Sequence, residues 1–421
     1  MISIRLRKKY LFYALSISSS IISAVVVGID SFITVKMSEV YSVEETSWVY
    51  GFSAFLVGLF VTLIICLILS IKIRGRSLGS IIVDPSFDKI RLISKEEVKY
   101  HLVAGLGNAI TTVGYFYVLT MMIDPSAILP FFRVVILYLL LVEMVAEKNT
   151  PTLIEIQSSI IVTFGAILGS ISISGELDIV PLAVMFLIVN PGWVLFSLYQ
   201  RKLKLLKVKD RPNDSINIRL WNLLFTLGFV TLFIIAQDYI SGTSYLMKSI
   251  EGSIKFFWLV ALSMAITFFS YVFYIRALGI GKASITEAVR ATIIIFSIPV
   301  TFLLSMFVHV PIPHSPVLWL IKIIGIILVI LGILSFALTQ VTAYIFIKAK
   351  PGISVSSLSN EIWKIRGIES VAVVTGRYDI IAKVRIRTLL KGYERIIRRL
   401  DTVPGVGYFE WHSVLKEWEN I

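Results

Sequence analysis

The feature that most constrains this chain is a series of long apolar runs, repeating from Tyr10 to Thr339 with few charges inside them. A helix that crosses a bilayer needs about 20 such residues, because the hydrocarbon core is about 30 Å thick and each residue rises about 1.5 Å. With 57% hydrophobic and 16% charged residues over 421 positions, the chain lacks the polar cover of a soluble fold. Ten spans are predicted, at 10–35, 49–71, 98–121, 126–146, 153–173, 180–200, 217–240, 254–277, 283–307 and 316–339. The first follows Arg5, Arg7, Lys8 and Lys9, as a signal peptide would. It runs on to about Val35 without a small-residue cleavage site, so it reads as a retained span. The single cysteine, Cys66, lies inside a run and reads as a small buried apolar residue, not a reactive thiol.

The connections alternate in charge. One set carries the N-terminal basic cluster, then Lys72, Arg74 and Arg76, then Arg201, Lys202 and Lys204; the other carries Glu44, Glu45, Asp124, Glu176 and Asp238. Excess Lys and Arg mark the cytoplasmic side, which places both chain ends in the cytoplasm of a multi-pass plasma-membrane protein. The net charge of +13 then reflects loops held against an anionic leaflet, and no nucleic-acid partner is needed to explain it.

The segment beginning at Tyr117 aligns without gaps on the segment beginning at Tyr274, which places Arg133 on Arg290. Each is followed by a helix bearing glycines, Gly165 and Gly169 in one case and Gly325 and Gly332 in the other. A repeat of five spans, 10–173 and 180–339, forces the second copy to enter the membrane from the opposite side. That is the inverted-repeat architecture of many secondary transporters, with the site between the halves. Short connections at Met122–Pro125 and Gly279–Ala283 predict tight helical hairpins.

The stretch from Tyr115 to Leu168 resembles the EamA-type repeat of the drug/metabolite transporter superfamily, in Ser126, Ala127, Pro130, Glu147 and Gly165. The resemblance implies two five-helix repeats, ten spans and both ends in the cytoplasm. The second copy departs from it: Glu287 stands in place of the proline, and no glutamate matches Glu147.

Ionisable side chains at bilayer depth are costly and mark functional sites. Arg133, Glu143, Glu287, Arg290 and Lys322 meet that condition. Two readings stand for the central three. Glu287 and Arg290 are a self-neutralised i,i+3 pair while Arg133 snorkels outward, or the arginines grip an anionic substrate group such as a carboxylate. Lys322 reads as a snorkelling anchor. Asn190-Pro191-Gly192-Trp193 falls mid-span, where a proline frees a backbone carbonyl, with Gly28 as its counterpart in the first span. Asn190 and Trp193 are cavity candidates, or parts of a merely structural kink. Asn108 and Tyr115, one heptad apart, are predicted to share a face. The four histidines are scattered without metal-ligand spacing, and no Walker-type phosphate loop is present. No cofactor, metal or catalytic set is expected, so movement of solute would be driven by gradients.

After Thr339 the pattern changes to βαββαβ, a ferredoxin-like α+β unit over 340–421. The segments from Ala343, Ile365 and Val403 resemble the effector-binding domain of Lrp/AsnC-type regulators. That resemblance implies a homodimer formed through the sheet, and an amino-acid effector bound near Gly376, Tyr378 and Asp379. Alternatively Gly376 only satisfies a turn that Asp379 caps. The helix-turn-helix of that family is absent from the segment before it, so DNA binding is not implied. The combined expectation is a gradient-driven transporter of small metabolites, amino-acid export among them, carrying a cytoplasmic sensor. The alternative is a non-transporting membrane-anchored sensor or scaffold.

Overall fold

The computed structural model describes residues 8–121, 128, 132–146, 153–169, 179–208, 211–308, 315–338, 341–365, 367–386 and 391–413. The chain divides into two compact units, 1–141 with 160–331, and 142–159 with 332–421. Helices α1 (Lys8–Ser38), α2 (Val43–Leu69), α3 (Lys95–Met121), α4 (Val135–Ala146) and α5 (Leu153–Gly169) are followed by α6 (Ile179–Leu205), α7 (Ser215–Ser241) and α8 (Tyr245–Lys255). Then come α9 (Phe257–Ile280), α10 (Ala283–Ser305) and α11 (Pro316–Leu338).

Among the described residues, seven helices are long and apolar enough to cross a membrane: α1, α2, α3, α6, α7, α9 and α10. The chain is therefore a mostly helical, multi-pass membrane protein. The apolar parts of two more helices, Ile156–Gly169 and Pro316–Gly332, are shorter. The first predicted hairpin, with Pro125, Ser126, Ala127, Pro130 and Glu147, lies outside the described residues. The second is present: α9 ends at Ile280 and α10 starts at Ala283, with the Gly281 N–H closing on the Ala277 carbonyl at 2.9 Å.

Helix ends follow local chemistry. Ser42 caps α2 in a capping box with Glu45, and Asp214 caps α7, whose far end stops at Gly242 in the left-handed region (φ 63°). Residues expected as a plain connection before the eighth predicted span instead form α8. Its buried side, Tyr245, Ser249, Gly252 and Ser253, returns at helical spacing and rests on α2, with Ser53 and Ser253 hydroxyls 2.9 Å apart.

The connections at one end of the bundle are laced by polar contacts. Arg91 grips Glu97 through both terminal nitrogens at 2.7 and 2.8 Å, and Lys204 meets Asp84 at 2.7 Å. Asp84 also accepts from the Ser215 N–H and hydroxyl at 2.8 and 2.7 Å. Burial opposes ionisation of Asp84, yet the Lys204 ammonium and the Ser215 donors outweigh it and hold the carboxyl at about 2.

In the second unit, β1 (Val341–Ala349), α12 (Val355–Trp363), β2 (Ile368–Val373), β3 (Ile380–Ile386), α13 (Lys391–Thr402) and β4 (Val406–Ser413) follow the predicted βαββαβ order. The antiparallel sheet runs β2-β3-β1-β4. Alternation along β1 and β3 buries Ala343, Ile345, Ile347, Ile380, Ala382 and Val384, which pack with Leu358, Ile362, Ile396 and Leu400 of the two helices. Tyr344, Phe346 and Tyr408 stand on the opposite, partly open face.

Candidate functional site

The interior of the first unit is built by close backbone approach. A Cβ on Gly107 of α3 would lie 2.7 Å from the Gly192 carbonyl oxygen of α6, and one on Gly192 would lie 2.9 Å from that of Gly107. Small residues let spanning helices touch in this way. Between α1 and α9 serines do the same work: the Ser19 hydroxyl donates to the Ser270 carbonyl at 2.9 Å, and the Ser270 hydroxyl donates to that of Ser19 at 3.1 Å.

The contact between α3 and α6 turns Trp193 inward. It coincides with a π-helical turn, Met185–Val189, just before Asn190-Pro191. Pro191 lacks an N–H, and the helix absorbs that loss by widening. The expected break is thus a π turn inside a continuous helix, with Asn190 fully buried at its end. Its predicted counterpart does not interrupt α1. Glycine keeps its N–H, and Gly28 instead makes room for Val300 of α10, whose methyl would sit 2.5 Å from a Cβ there.

Arg133, Glu287, Arg290 and Trp193 converge. Glu287 is fully buried and accepts from Arg133 Nη1 at 2.9 Å, Arg290 Nη1 at 3.1 Å and the Trp193 indole N–H at 2.9 Å. Arg133 does not snorkel: its side chain is buried, because its counter-ion lies inside the bundle. The Arg290 guanidinium also donates to the Ser23 hydroxyl of α1 at 3.1 Å and lies 4.3 Å above the Tyr274 ring. Tyr274 donates its own hydroxyl to Ser197 at 2.6 Å. The Ser20 hydroxyl donates to the Arg290 carbonyl at 3.0 Å, where α10 passes through a turn at Ala291 and Thr292. Two guanidiniums against one carboxylate leave the cluster one charge positive, and the Nε atoms of both arginines have no protein partner among the described residues.

Sequence reasoning missed two groups. Arg219 of α7 is buried with its guanidinium 4.0 Å over the Tyr271 ring. Asp30 of α1 is buried and accepts from the Tyr50 hydroxyl at 2.5 Å, Ser263 at 2.6 Å and Tyr115 at 3.3 Å. The available signal was that Asp30 is the only ionisable residue between Tyr13 and Lys36. The Tyr271 ring that carries Arg219 lies 6.0 Å from the ring of Trp193, the donor to Glu287, so Arg219 stands beside the arginine–glutamate cluster.

Asn108 and Tyr115 share a stripe of α3 but not an environment. Asn108 donates to Thr226 at 3.1 Å and Asn222 at 3.4 Å on α7, whereas Tyr115 reaches Asp30 on α1. Seven residues are about 10 Å along a helix, enough to change neighbours. Lys322, expected to snorkel, is buried and held by a neighbouring group. Glu143 is also buried.

In the second unit, Gly376 adopts φ 135°, with nothing near a would-be Cβ. Asp379 ties the turn down: its carboxylate accepts from the Ala349 N–H at 2.9 Å and Lys348 Nζ at 3.0 Å, and these contacts hold it below the usual carboxylate range. Tyr378 lies on the open sheet face, its ring 5.3 Å from that of Phe346 and 6.1 Å from that of Tyr408.

No curated protein matches the chain. A solved structure described as "Crystal structure of protein" is similar over 75% of this chain and 98% of its own, at 14% identity and a TM-score of 0.44. Residues 342–420 match the family described as Lrp/AsnC ligand binding domain, so a membrane-spanning helical region is joined in this chain to a ligand-binding domain of that family.

Proposed function

We propose that the chain is a gradient-driven secondary transporter of small metabolites bearing a carboxylate, amino acids among them, regulated by its C-terminal domain. The observation that carries this reading is the buried Arg133–Glu287–Arg290 cluster, a net positive group inside helices of membrane-spanning length. A substrate carboxylate can replace Glu287 as partner to either guanidinium, in the fork geometry that arginine offers. Trp193 and Tyr274 supply the walls against which the substrate body packs.

Residues 1–339 form the transporter on this reading, as two inverted EamA-like halves of five spans with both ends in the cytoplasm. Helix packing supports it. The first helix of one half lies on the third of the other in both senses, α1 on α9 and α6 on α3. The fifth helices meet each other, with Gly165 and Gly325 so close that a Cβ on either would fall 2.7 or 2.6 Å from the other's carbonyl oxygen. Residues 340–421 form the cytoplasmic sensor, which pairs with a second copy through its open sheet face and binds an effector near Gly376, Tyr378 and Asp379. An effector biases transport only as far as it binds one conformation more tightly than the other. The test is solute movement in proteoliposomes across a panel of carboxylates and amino acids, with candidate amino acids added on the sensor side. A carboxylate that moves, at a rate the added amino acid changes, supports the reading; a panel in which nothing moves removes it.

A further inference from the structure

Asp30 is a buried carboxyl that the anion site does not use. Its oxygens accept from Tyr50, Ser263 and Tyr115, and among the described residues no lysine, arginine or histidine pairs with it. A lone carboxylate inside spanning helices is costly, so it holds a proton or meets a cation for part of any cycle. Hydroxyl partners suit a proton: each donates to the charged form and turns to accept from the neutral acid. The ionisable groups that touch Asp30 are Tyr50 on α2 and Tyr115 on α3; Tyr271 on α9 is the next, and it carries the Arg219 guanidinium of α7 on its ring and neighbours Glu287 and Arg290 of α10. The second half of α10, Ile293–Ser305, carries none, and α1 has no other between Tyr13 and Lys36.

Position connects Asp30 to the anion site. Ser23, which holds Arg290, precedes Asp30 by seven residues of one helix, so the two lie on one stripe about 10 Å apart. A negative charge at that distance, in an effective dielectric of about 20, weakens an anion's binding by roughly tenfold to twentyfold. Protonating Asp30 removes the penalty, and anion binding favours the proton by the same factor.

We propose that Asp30 is the proton-carrying site of this protein, and that it couples one proton to one anionic substrate moving in the same direction. The proton comes from water on one face and returns to water on the other, and no further reactant is needed. This rests on the transporter reading, and the experiment separates the two. Infrared titration of the purified full chain between about pH 5 and 9 shows a protonated-carboxyl band that disappears as pH rises. The band is absent in Asp30→Asn and retained in Glu287→Gln. Ser263→Ala, which keeps the carboxyl and removes one donor, retains the band with a moved midpoint, so the assignment stands even if Asp30→Asn fails to fold. In proteoliposomes holding an internal pH dye, addition of a pool of amino acids and small mono- and dicarboxylates to the wild type acidifies the lumen as solute enters. One imposed pH unit then sustains about a tenfold solute gradient. A band indifferent to Asp30→Asn and Ser263→Ala, or no band at all, overturns the proposal. Solute entry without acidification, or driven equally by sodium alone, overturns it too while leaving the transporter reading intact. If no solute moves, the transporter reading falls and the infrared band still decides whether Asp30 holds a proton.

Discussion

Replacing Glu287 by Gln leaves two guanidiniums in the bundle interior without a formal counter-ion. The carboxylate is fully buried, and the arginines it serves are 3% and 4% exposed, so solvent cannot compensate. Breaking a buried ion pair by removing one partner costs about 3 to 5 kcal/mol, and here the lost partner serves two cations. The loss should appear in denaturant unfolding of the detergent-solubilised protein followed by circular dichroism. Adding Arg133→Met removes one stranded cation, so the double variant recovers part of the loss, and the two changes are non-additive by about 1 kcal/mol or more. A Glu287→Gln cost below about 1 kcal/mol, or simple additivity, would refute the claim that these three side chains form one dry electrostatic unit.

Gly192→Ala places a Cβ 2.6 Å from the Thr111 hydroxyl and 2.9 Å from the Gly107 carbonyl, so it should cost about 1 to 3 kcal/mol in the same assay. Gly228→Ala in α7 meets nothing within 4 Å and should be neutral, or stabilising by up to about 1 kcal/mol; equal effects at the two sites would count against the close α3–α6 contact. Asp84, held at about 2, contributes about 2 to 3 kcal/mol of stability. That contribution is complete above about pH 4 and lost as pH falls through about 2, so the stability gap between wild type and Asp84→Asn should close on acidification. Asp379→Ala should speed hydrogen exchange at the Ala349 amide in the intact chain, and unchanged protection would mean the carboxylate does not hold that turn.

Much of the architecture was legible because periodicity reports it directly. Runs of spanning length marked seven helices, and alternation marked the strands of the small domain, where Ala343, Ile345 and Ile347 of β1 are buried. Gly376 and Asp379 were legible as turn chemistry. Pairings across the chain were not. Arg133 and Glu287 are 154 positions apart, so spacing supplied the i,i+3 contact of Glu287 with Arg290 and nothing about the second arginine. Asp30 was hidden by its surroundings: one acid in an apolar run barely changes mean hydropathy, and its donors come from α2, α3 and α9. Helix α8 was hidden for the opposite reason, since a short amphipathic segment between spans has the polarity of a loop.

The most direct test of the account is carboxylate counterflow in proteoliposomes, comparing wild type with Arg133→Ala and Arg290→Ala. Charged hydrogen bonds of about 1.5 to 3 kcal/mol predict rates about tenfold or more lower at limiting substrate for each variant. Variants that exchange solute as fast as the wild type, or a wild type that exchanges none, would contradict it.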